Sequence, residues 1–324
     1  MRQFLFLAIM PLAGCFNGIT ICPTFCGGPV EETIVRDSKS CFCPDKVAII
    51  DVEGLILNAK TSSFLTGDGD NPVSLFRERL QAAADDKHVK AVVLRVNSPG
   101  GAVTASDIMY QDLIHFRTET RKPVVACMMD AAASGGYYVA MGSDVIIAHP
   151  TTVTGSIGVI MSLYDASGLF AKIGVASNPI KSGPNKDIGN PARPMSDAER
   201  AILQGMIDQF YGEFVKVVAR GRGMTEERVR ALADGRIYTG MEAKELGLVD
   251  HVGYLEDAIA AATNMAGVKD ASIVAYDHGD GYRGSIYARP PRIPSEINVK
   301  LEVPGLSKGC GATFMYLWEP GSQP

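Results

Sequence analysis

The sequence predicts an α/β fold built on a largely parallel sheet. Three observations carry that expectation. Short apolar runs rich in Val and Ile recur at 46–52, 89–96 and 123–129. Stretches with apolar residues at helical spacing follow them. Turn clusters sit where one hands over to the other, the clearest being Asn97-Ser98-Pro99-Gly100-Gly101. Strands that alternate with helices in this way lie side by side in parallel, with the helices as crossovers. Apolar residues make up 46% of the 324, enough to bury a core without disulfides. With 31 Lys and Arg against 36 Asp and Glu, no basic excess exists to neutralise phosphates, which argues against nucleic-acid binding.

At the N-terminus, Arg2 precedes an apolar run, 4–13, that is too short to span a bilayer and has the shape of an export leader. The run ends in Leu12-Ala13-Gly14-Cys15, which resembles the lipobox of bacterial lipoproteins. That resemblance implies a signal peptide at 1–14, a lipidated Cys15 and a place in a bacterial cell envelope outside the cytoplasm. A plain secretory leader is the alternative. Segment 15–45 then reads as a Cys-rich exported linker, crowded with Cys22, Cys26, Cys41 and Cys43. Two disulfides with three possible pairings are the simplest expectation. Free thiols or zinc stay open, although Cys-x3-Cys followed by Cys-x-Cys is not a usual finger spacing.

The main domain is expected at 46–276. After strand 46–52 comes a helix at 74–86, with Leu75, Phe76, Leu80 and Ala83 on one face. Strand 89–96, helix 104–118 and strand 123–129 follow, and Ser134-Gly135-Gly136 opens a further helix. Short strands are expected at 144–148, 157–161 and 175–180, then a long helix at 196–220 and another opened by Thr225-Glu226-Glu227. From 277 to 324, Gly, Pro and polar residues predict a loose extension that holds the only tryptophan, Trp318.

Two motifs mislead. Gly279-Asp280-Gly281-Tyr282-Arg283-Gly284 matches the dinucleotide fingerprint, but Pro290, Pro291 and Pro294 leave no room for the helix it requires. The segment Ala132-x-Ser134-x-Gly136 fails the nucleophile-elbow pattern at its first glycine. No cofactor and no metal is called for.

The strongest constellation joins three loops. Ser134 follows a strand and opens a helix, where unpaired amides favour a developing anion. Gly135 and the glycines of Ser98-Pro99-Gly100-Gly101 can present amides to it at strand ends, the usual ligand side of an α/β sheet. Taken singly, each loop is an ordinary cap or turn. A serine nucleophile also needs a base. Among the histidines, His149 and His251 lie at segment ends and remain open as partners. Lys181 and Lys186 share a glycine-containing loop, but only about 0.04% of an unperturbed lysine is neutral at pH 7.

Six ordered motifs add a family resemblance. They are Ser98-Pro99-Gly100-Gly101, Ala133-Ser134-Gly135-Gly136-Tyr137-Tyr138, Thr154-Gly155-Ser156-Ile157-Gly158-Val159, Lys181-Ser182-Gly183-x-x-Lys186-Asp187, Gly221-Arg222-Gly223-Met224 and Asp234-Gly235-Arg236-Ile237-Tyr238-Thr239-Gly240. Together, across 46–257, they closely resemble the bacterial signal peptide peptidase A family, serine endopeptidases with a Ser/Lys dyad. The resemblance implies a Clp/crotonase-like βαβ superhelix. It implies Ser134 as nucleophile, the amides of Gly101 and Gly135 as oxyanion hole, and Lys186 as general base, with Lys181 the runner-up. Ser156 would orient the lysine amine. It further implies signal-peptide and other peptide substrates at a membrane, and a homo-oligomeric ring in which neighbouring protomers supply serine and lysine. The family commonly has a membrane-spanning N-terminal helix; here tethering would be through lipid on Cys15. The rival readings are a crotonase-like acyl-CoA enzyme and a non-catalytic scaffold of the same fold.

Overall fold

The computed structural model describes residues 30–39, 44–59, 62–63, 67–68, 71–278, 285–286 and 314–318. Cys15, Cys22, Cys26, Cys41, Cys43 and the glycine motif at 279–284 lie outside the described residues.

In chain order, β1 (Glu31–Arg36) and β2 (Lys46–Ile56) are followed by a small ribbon of β3 (Ser62–Ser63) and β4 (Gly67–Asp68). Then come α1 (Pro72–Asp85), β5 (Val89–Ala102), α2 (Val103–Thr120), β6 (Val124–Ala133), α3 (Gly135–Ala140), β7 (Val145–Ala148) and β8 (Val153–Gly155). The remainder is α4 (Ser167–Lys172), α5 (Asp197–Arg222), α6 (Glu226–Arg230), β9 (Ile237–Thr239), α7 (Gly240–Glu245), β10 (His251–Val252), α8 (Leu255–Met265), β11 (Ser272–Asp277) and β12 (Met315–Leu317). The main sheet runs β1-β11-β2-β5-β6-β7-β10, and every pair from β11 to β10 is parallel. This is the expected α/β architecture with a mostly parallel sheet.

Both faces of the sheet are covered, so its strands are apolar throughout rather than alternating with polar residues. The two-residue period still sorts them. Ala48, Ile50, Val92, Leu94 and Val96 pack on one face with α1, α2, α3 and α5. Val47, Ile49, Ala91, Val93 and Val125 face the other, against Leu255, Ala258 and Ile259 of α8. The long helix begins where sequence rules place it: Ser196 accepts from the Glu199 amide and Glu199 reaches back, a complete capping box.

The sheet extends beyond the expected 46–276 at both ends. β1, from the Cys-rich linker, pairs antiparallel with β11. β12, from the C-terminal extension expected to be loose, pairs antiparallel with β5. The expected strand at 157–161 is reduced to a single bridge between Ile160 and Met315, and the short strand lies earlier, at β8. No strand forms at 175–180, where Val175 and Ile180 are exposed. Among the described residues their β propensity has no neighbouring strand edge to pair with.

Candidate active site

β5 and β6 end side by side, with Ser98 opposite Ala132, which brings the 98–101 loop against the start of α3. Ser98 ties its own loop: its Oγ donates to the Gly54 carbonyl (2.6 Å) and accepts from the Gly100 amide (3.0 Å). α3 is anchored by two buried tyrosines. The Tyr137 hydroxyl donates to the Leu248 carbonyl (2.7 Å), and that of Tyr138 donates to Asp107 (2.8 Å). The turn carrying Ser134 is therefore fixed from both sides.

Ser134 itself sits at φ 50°, ψ −114°, a region that L residues rarely enter. Two bonds hold it there: its N–H donates to the Gly155 carbonyl (2.8 Å), and its own carbonyl accepts from the Tyr138 amide (2.8 Å). Its Oγ does not cap α3. The residue is 1% exposed, and the hydroxyl has no hydrogen-bond partner among the described residues. A buried polar group left without a partner is costly, and such groups concentrate at working sites. The ordinary reading of Ser-Gly-Gly as a helix cap does not apply here.

The glycines are there because backbone crowds backbone. A Cβ on Gly135 would lie 2.4 Å from Ser106 Oγ and 3.0 Å from the Gly101 amide nitrogen. One on Gly100, whose φ is +105°, would lie 2.6 Å from the Gly135 nitrogen and 2.0 Å from the Tyr316 carbonyl oxygen. Gly100 and Gly101 are thus packed backbone against backbone with Gly135, the residues expected to supply the anion donors. β8 pairs with β6 so that Gly155 lies opposite Ala133. Ser156, the next residue and also at positive φ, is thereby brought beside the Ser134 turn, and its N–H donates to the Arg236 carbonyl (2.8 Å).

Among the described residues no base reaches Ser134 Oγ. His149 is occupied elsewhere: Nδ1 lies 2.8 Å from Thr151 Oγ1, and the ring packs edge-on to Tyr254 beside a separate cavity of about 250 Å³. His251 is exposed on β10. The two lysines differ in their surroundings. Lys181 Nζ is ion-paired with Asp187 (2.7 Å). Lys186 is exposed, with no ion pair or side-chain hydrogen bond among the described residues. Asp187 faces away from its neighbour Lys186, because Arg193 and Lys181 hold it.

That pairing belongs to a clamp on the lysine loop. Arg193 bonds both Asp187 and Glu199, linking the loop to the first turn of α5. Hydrogen bonds from Arg193 and then Lys181 hold Asp187 well below the usual carboxylate range. Arg193 and the Ser196 amide bring Glu199 down to about 2. Depressed carboxylates stabilise the fold above their unfolded pKa, and that contribution is lost as pH falls through the folded values. The clamp is therefore expected to stand at pH 5 and above and to open as pH drops from about 4 towards about 2. Hydrogen exchange across 181–199, corrected for intrinsic rates, should show the opening in that window, and Glu199→Gln should show it already at pH 7.

Sequence reasoning missed Tyr316, whose carbonyl lies against Gly100 and whose buried ring packs on α3 and α5. The available signal was the aromatic run Phe314-Met315-Tyr316-Leu317-Trp318 at the end of a Gly- and Pro-rich stretch.

Known proteins agree with this geometry. The family model for peptidase family S49 matches residues 117–269. Over 246 residues the chain is 39% identical to a candidate signal peptide peptidase SppA of Enterococcus faecium, covering 76% of this chain and 70% of that one. It is 40% identical over 223 residues to a candidate protease of Synechocystis sp., covering 69% and 75% of the two chains. Against protease 4 of Salmonella typhi it is 34% identical over 269 residues, which span 81% of this chain and 42% of that longer protein. Likeness of this extent across chains of comparable length decides between the readings left open by the loops alone: the chain belongs to peptidase family S49, the serine peptidases of the signal peptide peptidase A kind.

Proposed function

We propose that this serine peptidase is an envelope endopeptidase that hydrolyses leftover signal peptides and other extended chains through an acyl-enzyme on Ser134. The observation that carries the reading is the buried Ser134 hydroxyl, without a partner among the described residues, at the turn where the 98–101 loop packs against the start of α3. Oγ attacks the scissile carbonyl while a neutral lysine takes its proton, and the oxyanion is held by the two amides. The lysine then protonates the leaving amine as the C–N bond breaks. Water, activated by the same lysine, releases the acyl group.

Lys186 is the favoured base. Lys181 is ion-paired with the Asp187 carboxylate, a contact it would have to give up to reach a serine. Lys186 has no such partner but is exposed in its own chain, and burial against a second copy would both desolvate it and bring it to a serine. The apolar surface around this loop favours such a contact: Tyr164, Leu169, Ile173, Val175 and Ile180 are all exposed. A homo-oligomeric ring with Ser134 and Lys186 from neighbouring copies fits these facts, with Ser156 orienting the amine. Among the described residues no helix is long and apolar enough to cross a membrane. Attachment through lipid on Cys15 would hold the peptidase at the membrane surface, where signal peptides are left behind.

The test is a fluorophosphonate probe together with a synthetic signal peptide. The probe should label Ser134 in the purified oligomer, and labelling should stop hydrolysis of the peptide in proportion. A chain that cuts the peptide without labelling, or labels at another serine, would refute the acyl-enzyme on Ser134.

A further inference from the structure

Between β2 and β5 the register slips near the site. Glu53 lies opposite Asn97 and Leu55 opposite Gly100, so Gly54 alone faces both Ser98 and Pro99. One extra residue on one strand is a β-bulge, which leaves ladder groups unpaired. Pro99 has no N–H to lose. The Ser98 side chain takes up the rest. Its Oγ donates to the Gly54 carbonyl (2.6 Å) and accepts from the Gly100 amide (3.0 Å). One hydroxyl thus stands between a carbonyl of β2 and an N–H of β5, the two kinds of group that a regular ladder joins directly. The other edge of β5 shows the same device. Toward β6 the register shifts between Val96 and Ser98, and Asn97 Oδ1 accepts from the Ala131 amide (3.2 Å).

Ser98 is fully buried, and the start of α3 rests on it. A Cβ on Gly136 would lie 2.8 Å from the Ser98 carbonyl oxygen and 3.3 Å from the Ser98 Cβ. The loop beyond it passes so close to the Ser134 turn that two successive residues, Gly100 and Gly101, carry no side chain. Gly100 adopts φ +105°, open to glycine at no steric cost. That closeness has a drawback: glycines have nothing of their own with which to fix a peptide plane. The bond from the Gly100 N–H to Ser98 Oγ is a constraint supplied from outside the pair.

We infer that Ser98 is a positioning residue for peptide hydrolysis: its hydroxyl, set into the bulge, fixes the peptide plane at Gly100 and thereby the Gly101 amide that receives the oxyanion. This assignment rests on the peptidase reading of Ser134 and Gly101. The Gly100 N–H is spent on Ser98, so the amide left for the anion on this loop is the next one. Charge appears on the carbonyl oxygen only as Oγ attacks. A donor that is present but misplaced therefore costs transition-state binding and leaves substrate binding nearly untouched.

The experiment uses the full chain and two variants, Ser98→Ala and Ser98→Cys. Alanine removes both bonds, and cysteine keeps the shape but donates and accepts poorly. The substrate is a synthetic signal peptide. Two inhibitors carry the residues on the acyl side of its cleavage site and end in an aldehyde, which forms a tetrahedral adduct on Ser134, or in an alcohol, which does not. Rates are taken per site titrated with a fluorophosphonate to its endpoint, so unfolded protein is not counted. Ser98→Ala should lower kcat about 10- to 100-fold with KM changed less than about twofold. The aldehyde Ki should rise in proportion to the loss of kcat/KM and the alcohol Ki should hold, with Ser98→Cys between Ser98→Ala and the unaltered chain. Unchanged kcat and aldehyde Ki in Ser98→Ala would overturn the role of Ser98 and leave the peptidase standing. So would aldehyde and alcohol Ki rising together, or full activity in Ser98→Cys, which would make shape rather than bonding the requirement. Should Ser98→Ala not fold, Ser98→Cys decides by the same two inhibitors. If the unaltered chain neither titrates at Ser134 nor cuts the peptide, the peptidase reading fails and the role of Ser98 falls with it.

Discussion

Ser134→Ala is expected to lower kcat for peptide hydrolysis by about five to six orders of magnitude while leaving the fold and the assembly intact. Only one oxygen is removed, and that oxygen bonds to nothing among the described residues. The backbone argument sharpens the test. Alanine at φ 50°, ψ −114° keeps the strain that serine bears, of order 1–3 kcal/mol. Glycine relieves it and gives back roughly 0.5–1 kcal/mol through its freer unfolded chain. Ser134→Gly should therefore be equally inactive and yet melt a few degrees above Ser134→Ala by calorimetry. Turnover surviving in either variant would remove Ser134 from the chemistry, and equal melting temperatures would remove strain from the account of the turn.

Lys186→Ala should cost about 10²- to 10⁴-fold in kcat, the usual worth of a general base, and Lys181→Ala far less. Because Lys186 does not reach Ser134 in its own chain, a second measurement separates two arrangements. Ser134→Ala and Lys186→Ala chains, inactive apart, should regain activity when refolded together, since some contacts then join an intact serine to an intact lysine. No recovery in a mixture proven by mass to contain both would place the base within one chain. Activity in the unaltered protein should climb with pH along the limb where the lysine loses its proton. If Lys181→Ala is the inactive variant instead, the pairing of Lys181 with Asp187 has been given too much weight.

Much of the scaffold could be read from local rules. The strands at 46–52, 89–96 and 123–129 and the capping signals at Ser196 and Thr225 all appear where spacing and caps put them. That the 98–101 loop meets the Ser134 turn was legible because parallel strands deliver their C-terminal loops to one edge. What periodicity could not supply was partnership. The apolar residues at 175–180 look like a strand from their side chains, but a strand also needs a neighbour. The converse holds for Phe314–Trp318: in a polar, proline-rich stretch it looks like a tail, and only the open edge of β5 gives it a place. Asp187 presents the same difficulty. It adjoins Lys186 in sequence, and the fold turns its carboxylate to Lys181 and Arg193 instead.

The anchoring of α3 bears on when a newly made chain becomes a protease. Tyr137 is tied to Leu248, and Tyr138 is packed by Phe214 and Tyr316, residues that leave the ribosome long after Ser134. A half-synthesised chain therefore has Ser134 but neither the walls nor the tether that anchor the helix the serine opens. Completion of the site is thereby tied to synthesis of the chain as far as Tyr316.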